Sequence, residues 1–171
     1  METLYRRTCR QFKSQPVEKE KIEQILKAGR YAPTGRNLQE LKFHVITNKE
    51  MLDKLVKETQ EEMKKNPEHA AMASNPITYN APVAITMTCN KETNKWAQYD
   101  CGFASQNMII CAEMLGLGSL PLGIMKRTPE PWLKALHCEN DDLLLTICFG
   151  YKDESFQPKE KEIKSEVFYY E

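Results

Sequence analysis

The chain has 171 residues, 41% of them hydrophobic, and 24 Lys plus Arg balance 24 Asp plus Glu. That length is one ordinary domain with room for a full core, and zero formal charge argues against nucleic acid or an anionic membrane as the main partner. No stretch approaches the ~20 apolar residues of a membrane span, and the start METLYRRTCRQF lacks an apolar signal core, so the expected setting is cytoplasmic.

In chain order, the first notable stretch is Arg6-Arg7-Thr8-Cys9-Arg10-Gln11-Phe12, with three guanidinium groups and a hydroxyl in five positions. Guanidinium is a planar fork of donors that matches phosphate oxygens in pairs. The cluster is either a solvated basic face or a holder for a phosphate monoester. Cys9 sits among these cations, which can lower a thiol pKa, but the position is expected to face the core or a neighbouring strand rather than act as a nucleophile.

Next, EKEKIEQILKAGRYA places Ile22, Ile25, Leu26 and Gly29 on one helical face, and Ala32-Pro33 with Gly35 ends that helix. Residues 41–47 alternate as a strand, and 49–65 form a charged helix with Leu52, Leu55 and Val56 as its apolar stripe. Residues 66–80 hold two Asn-Pro breaks and are the candidate for a mobile excursion or lid. Residues 82–89 read as a buried strand. The longest apolar helix covers 97–116 and should be covered on most sides, at the centre of a domain or between two subunits. Gly116-Leu117-Gly118 ends it and leads into Ser119–Met125. Thr128 is the expected N-cap of a short helix with Pro129 at its first position. The last strand is 143–149, and 151–171 is a polar, lysine-rich extension. No internal repeat or domain boundary interrupts residues 1–171.

The six cysteines show no CxxC pair, and the three histidines are far apart in sequence. A disulfide framework or a zinc site would need spacings that are absent. Neither a GxGxxG nor a Ser-His-Asp or Cys-His set is present.

Four segments remain: the Arg cluster, APTGRNLQ at 32–39, SLPLGIM at 119–125 and PKEK at 158–161. Singly, each has a bland reading as surface charge, helix stop, buried strand or solvated tail. In order, they resemble the FMN-dependent nitroreductase family over nearly the whole chain. RRTCRQF is similar to its opening phosphate clamp, and APTGRNLQ to its Pro-Ser-Gly-x-Asn-x-Gln loop with Thr34 in place of serine. APVAITMTCN resembles its central strand, and DCGFASQNMIICAEMLGLGS its long interface helix and Gly-Leu-Gly turn. LLLTICFGYKDE and PKEKEIKSEV resemble its last core strand and basic tail, with Lys161 where many members have arginine.

The resemblance implies an α+β fold with a mostly antiparallel central sheet flanked by helices, in an intertwined homodimer binding FMN between subunits. It implies that Arg6, Arg7, Thr8 and Arg10 hold the phosphate and ribityl chain, with Lys159 and Lys161 closing from the tail. Pro33, Thr34, Gly35 and Asn37 would line the flavin from the second subunit, and the backbone at Leu122-Gly123 would approach its reactive nitrogen. Glycine at 35 and 123 removes a Cβ that could clash with a flat ring. NADH or NADPH would reduce the flavin, and a nitroaromatic, quinone or similar small-molecule acceptor would reoxidise it in ping-pong order. The same scaffold also suits dehalogenation, flavin fragmentation, ferredoxin-fed reduction or FMN storage without turnover. Arg36 adds a cation that could meet a pyridine nucleotide phosphate or simply face water.

Overall fold

The computed structural model describes residues 2–92 and 95–171; Met1, Thr93 and Asn94 lie outside the described residues. Helix α1 (Lys19–Arg30) forms where the stripe demands it, burying Ile22, Ile25 and Gly29. Strand β1 (Lys42–Ile46) leads into α2 (Lys49–Lys65), whose N-terminus is capped by Asn48, its side chain accepting from Met51 N at 2.9 Å. Asn66 caps α3 (Pro67–Ala70) in the same way, accepting from Glu68 N. Then come β2 (Val83–Asn90), α4 (Ala97–Met114), β3 (Leu117–Leu122), α5 (Glu130–Ala135) and β4 (Asp141–Tyr151). Among the described residues, the four strands form one sheet in the order β1-β2-β4-β3, with every neighbouring pair antiparallel. This is the expected α+β architecture with a flanked antiparallel sheet.

Alternation along the strands sorts side chains into two cores. Ile85, Met87 and Cys89 of β2, with Ile147 and Phe149 of β4, meet α1 and α4. Ala84, Cys148, Leu120 and Leu122 point the other way, toward Leu52, Leu55, Trp132 and Leu133 of α2 and α5. Because helices cover both faces, β2 is buried from Val83 to Cys89, which is why it reads as one apolar run. The indole of Trp132 is fully buried and donates from Nε1 to Thr59 Oγ1 at 2.9 Å. Residues 66–80 are pinned at their far end, where Ala73, Ile77 and Thr78 are buried. Ile77 packs into the α2–α5 core.

Two local expectations are corrected. The strand after α4 begins at Leu117, inside the Gly-Leu-Gly turn. Gly118 is a strand residue paired with Gly150, and a Cβ there would lie 2.7 Å from Cβ of Cys9, so glycine admits the N-terminal segment alongside β3. Thr128 does not cap the short helix. Pro129 occupies that position, and Thr128 is buried with its hydroxyl unpaired among the described residues.

At one end of the sheet, Lys42 Nζ donates to both oxygens of Asp141, at 2.8 and 2.9 Å. Thr88 donates to Asp141 Oδ2 at 2.7 Å, and His44 Nε2 lies 2.9 Å from Thr88 Oγ1. Burial alone would raise the Asp141 pKa, but hydrogen bonds from Lys42 and Thr88 outweigh it and hold the carboxyl below its ordinary value. This Lys42–Asp141–Thr88 network therefore stabilises the fold above the ordinary aspartate range and loses that contribution as pH falls through the depressed value. Replacing Asp141 by alanine should cost about 2 kcal/mol at neutral pH. It should also flatten the acid limb of a stability–pH curve measured by urea unfolding; an unchanged acid limb would contradict the assignment.

Candidate functional site

The N-terminal segment is laid beside the sheet by backbone bonds. Cys9 N donates to Ser119 O, Lys13 N to Tyr151 O, and Asp153 N to Gln11 O, each at 2.9–3.0 Å. Cys9 is fully buried, its thiol donates to Gln11 O, and burial pushes its pKa up. It is a packing residue, as expected, and an unactivated thiol.

Fixing Cys9 inward turns its neighbours out. Arg6 is half-buried, and its Nη2 donates to Thr8 Oγ1 at 3.2 Å. Burial draws its guanidinium pKa down, with the charge of Glu113 opposing. Its Nε is buried without a hydrogen-bond partner among the described residues. A buried unpaired donor on a cation is costly, and an acceptor such as a phosphate oxygen would satisfy it. Arg7 is committed differently. Its Nε donates to Lys159 O at 2.8 Å, and its Nη1 to Tyr5 O and Arg6 O at 2.9 and 3.2 Å. Arg7 therefore straps the basic tail to the clamp and brings Lys159 to it. Arg10 and Lys161 are exposed.

The second group lies at the other end of α4. Gly35 N donates to Asp100 Oδ1 at 2.9 Å, and a Cβ on Gly35 would fall 2.7 Å from Cγ of Trp96. Glycine at 35 is thus required by the indole packed against it, whatever else approaches the loop. Arg36, Asn37 and Gln39 all have φ near +55°, the left-handed region that costs ~1–2 kcal/mol per non-glycine residue. Gln39 stabilises this turn, donating from its side chain to Asn37 Oδ1 at 2.9 Å and from its backbone to Thr34 Oγ1 at 3.3 Å. Pro33, Arg36 and Asn37 are exposed. Asp100 and Trp96 carry little signal in the sequence beyond an acid in the first turn of a long apolar-rich helix.

The third group is Leu122-Gly123, where β3 turns into a 3-10 segment, Gly123–Arg127. Leu122 is buried, while nothing lies within 4 Å of where a Cβ on Gly123 would stand. The backbone there is open to a flat partner. From Ser119, bonded to Cys9, to Gly123 is four residues of extended chain, ~13 Å.

The clamp and the 33–39 loop do not meet in one chain. Arg6 faces Glu113 near the end of α4, and the loop contacts Asp100 near its start, 13 residues or ~20 Å of helix apart. Elsewhere, His44, Cys138 and Asp141 hold ligand atoms within 4.8 Å of one another, a proximity invisible in sequence. Asp141 is already taken by Lys42 and Thr88, and burial raises the Cys138 thiol, so this cluster serves the sheet.

Breaking the Arg7 strap should cost about 1 kcal/mol of local stability. Arg7→Ala should therefore be cut roughly fivefold faster within 152–165 in limited proteolysis; an unchanged rate would remove the strap.

The model of the nitroreductase family matches residues 3–151. A protein of Archaeoglobus fulgidus, provisionally named NADH dehydrogenase/NAD(P)H nitroreductase, is 32% identical over 160 residues, covering 87% of this chain and 83% of the relative. A nitroreductase with bound FMN from Bacteroides fragilis superposes with a TM-score of 0.89 at 26% identity, covering 99% of this chain and 96% of that one. Another solved structure, from Bacteroides thetaiotaomicron, carries the same provisional name as the archaeal relative and superposes with a TM-score of 0.77 at 28% identity, covering 98% of this chain and 95% of that one.

Proposed function

The chain belongs to the nitroreductase family, and from that premise we propose that it is an FMN-dependent NAD(P)H oxidoreductase acting as an intertwined homodimer. The observation that carries the reading is the buried, unpartnered Nε of Arg6 beside the Thr8 hydroxyl. When bound, FMN supplies the hydride and electron chemistry, with NADH or NADPH as donor and a nitroaromatic, quinone or similar acceptor following in ping-pong order.

The chain's own groups bind and orient. Arg6 and Thr8 turn donors on the phosphate, and Arg10, Lys159 and Lys161 add positive charge around it. Arg7 contributes charge and its remaining Nη2 while its other nitrogens hold the tail in place. The open backbone at Leu122-Gly123 lies further along the same strand, where the ring would come to rest. Pro33, Thr34, Gly35 and Asn37 line the ring from the partner subunit. Because Asn37 Oδ1 accepts from Gln39, its amide N–H₂ is left to meet the polar ring edge.

A homodimer answers the separation of the two groups. The outward side of helix α4 leaves Tyr99 and Phe103 exposed beside Gln98, Gln106 and Asn107, with Met114 73% exposed at its end. Pairing that side with a second, antiparallel copy would cover it and set one chain's clamp beside the other's loop. The tail adds exposed Ile163, Val167 and Phe168 as further contact surface. No helix among the described residues is long and apolar enough to cross a membrane. All six cysteines are free thiols, which supports a reducing, cytoplasmic setting.

Purified protein should show flavin absorption that bleaches with NADH or NADPH under anaerobic conditions and returns with a quinone. Bands that fail to bleach would shift the reading to another donor or to storage, and no bands after incubation with FMN would overturn it. Arg6→Ala with Arg10→Ala should weaken FMN binding roughly 100-fold or more, from two charge-assisted contacts; undiminished flavin content would sink the clamp. Phe103→Arg should give monomers by sedimentation together with loss of flavin, and a flavin-loaded monomer would refute the shared site.

A further inference from the structure

Asp100 is only 2% exposed, and among the described residues its side chain has one hydrogen bond, from Gly35 N to Oδ1 at 2.9 Å. Its Oδ2 is buried without a partner among the described residues. A buried acid is costly to keep, and a bare packing role would be filled better by an apolar side chain. The cost is placed at one spot, the amide that opens a turn in which Arg36, Asn37 and Gln39 all stand at positive φ.

Such a turn persists only where its surroundings over-determine it. Three restraints are visible. The indole of Trp96 closes on Gly35 from one side, the Gln39 side chain and backbone tie the turn internally to Asn37 and Thr34, and Asp100 grips the leading amide. Asp100 connects the turn to the rigid body of α4 through a directional bond. Trp96 limits how near the loop can come, and the Gln39 bonds move with the loop.

We propose that Asp100 is a positioning residue: its carboxylate anchors the Gly35 amide and so fixes the Gly35–Asn37 turn in the strained conformation that presents Asn37. Toward FMN, this rests on the reading above that the loop lines the flavin from the partner subunit. The anchoring itself is a property of the single chain and can be read without flavin. The hydrogen bond needs an acceptor at Oδ1; the amide of asparagine retains one, and alanine or leucine does not.

The test is hydrogen–deuterium exchange over a peptide spanning 33–39, with and without FMN, for the wild type and for Asp100→Asn, Asp100→Ala and Asp100→Leu. Leucine fills the space that alanine empties, so one acceptor-free variant remains if the other does not fold. Exchange at Gly35 should rise roughly tenfold or more in the alanine and leucine variants and stay within about threefold of wild type in the asparagine variant. FMN affinity should fall roughly tenfold in the same two variants and be rescued by asparagine. Wild-type exchange in the alanine or leucine variant would overturn the anchor, as would an asparagine variant as loose as they are, since that would mark the charge and not the bond. Altered exchange with unaltered FMN affinity would keep the anchor and overturn its role toward the cofactor. A wild-type protein that binds no FMN at all would instead overturn the functional reading and leave the exchange result standing.

Discussion

Helix α4 is the element on which the other parts depend, because its inner side is buried between α1 and the sheet. Ala104, Met108, Ile109 and Ala112 lie in the core shared with α1 and the sheet, and Met108 is packed so closely on Gly29 that a Cβ there would lie 2.8 Å from its Cγ. That contact sets how near α1 comes to α4. It therefore also sets where the chain leaves α1 and enters the loop at 33–39. Each fully buried apolar side chain in this layer is worth ~1.5–3 kcal/mol, so the position of α4 is held far more firmly than any loop upon it.

The two ends of this helix then carry different chemistry. Near its C-terminus, Glu113 pairs with Lys152 at 2.5 Å and faces Arg6, so the basic start of the chain, the end of β4 and α4 are joined by charge. Near its N-terminus, Asp100 and Trp96 hold a turn of unfavourable backbone. One end gathers cations, and the other shapes a rigid loop. A cofactor with an anionic tail and a flat ring needs both, and ~20 Å of helix keeps them apart in a single chain. The exposed side of α4 is the surface that the proposed association of two copies would cover.

On the opposite face of the sheet the polar groups do other work. Thr59 accepts from Trp132 and donates to Leu55 O at 2.7 Å, while Thr86 and Thr146 pair across the central strands at 2.9 Å. Lys42, Asp141, Thr88 and His44 form a rail that ties β1, β2 and β4 at one end. Buried polar atoms that are paired in this way fix strand register, since a one-residue slip would leave each of them unsatisfied. The proximity of His44, Cys138 and Asp141 follows from that register.

What the residues by themselves determined was periodic or carried by ordered motifs. The 3.6 spacing of Ile22, Ile25 and Gly29, the Leu52, Leu55 and Val56 stripe and the apolar run at 82–89 depend on near neighbours, so the elements they announced formed with boundaries shifted by a residue or two. The ordered clamp, loop, helix and tail motifs likewise made the family legible. What only the tertiary structure decided were relations between residues distant in sequence. That Gly118 serves Cys9, that Gly35 serves Trp96, that Arg7 holds Lys159, and that Asp100 grips Gly35 all join positions 61 to 152 residues apart. Each is a matter of a few tenths of an ångström in packing or of one directional bond. Neither leaves a trace in composition or local spacing, because the chain must first fold for the partners to meet.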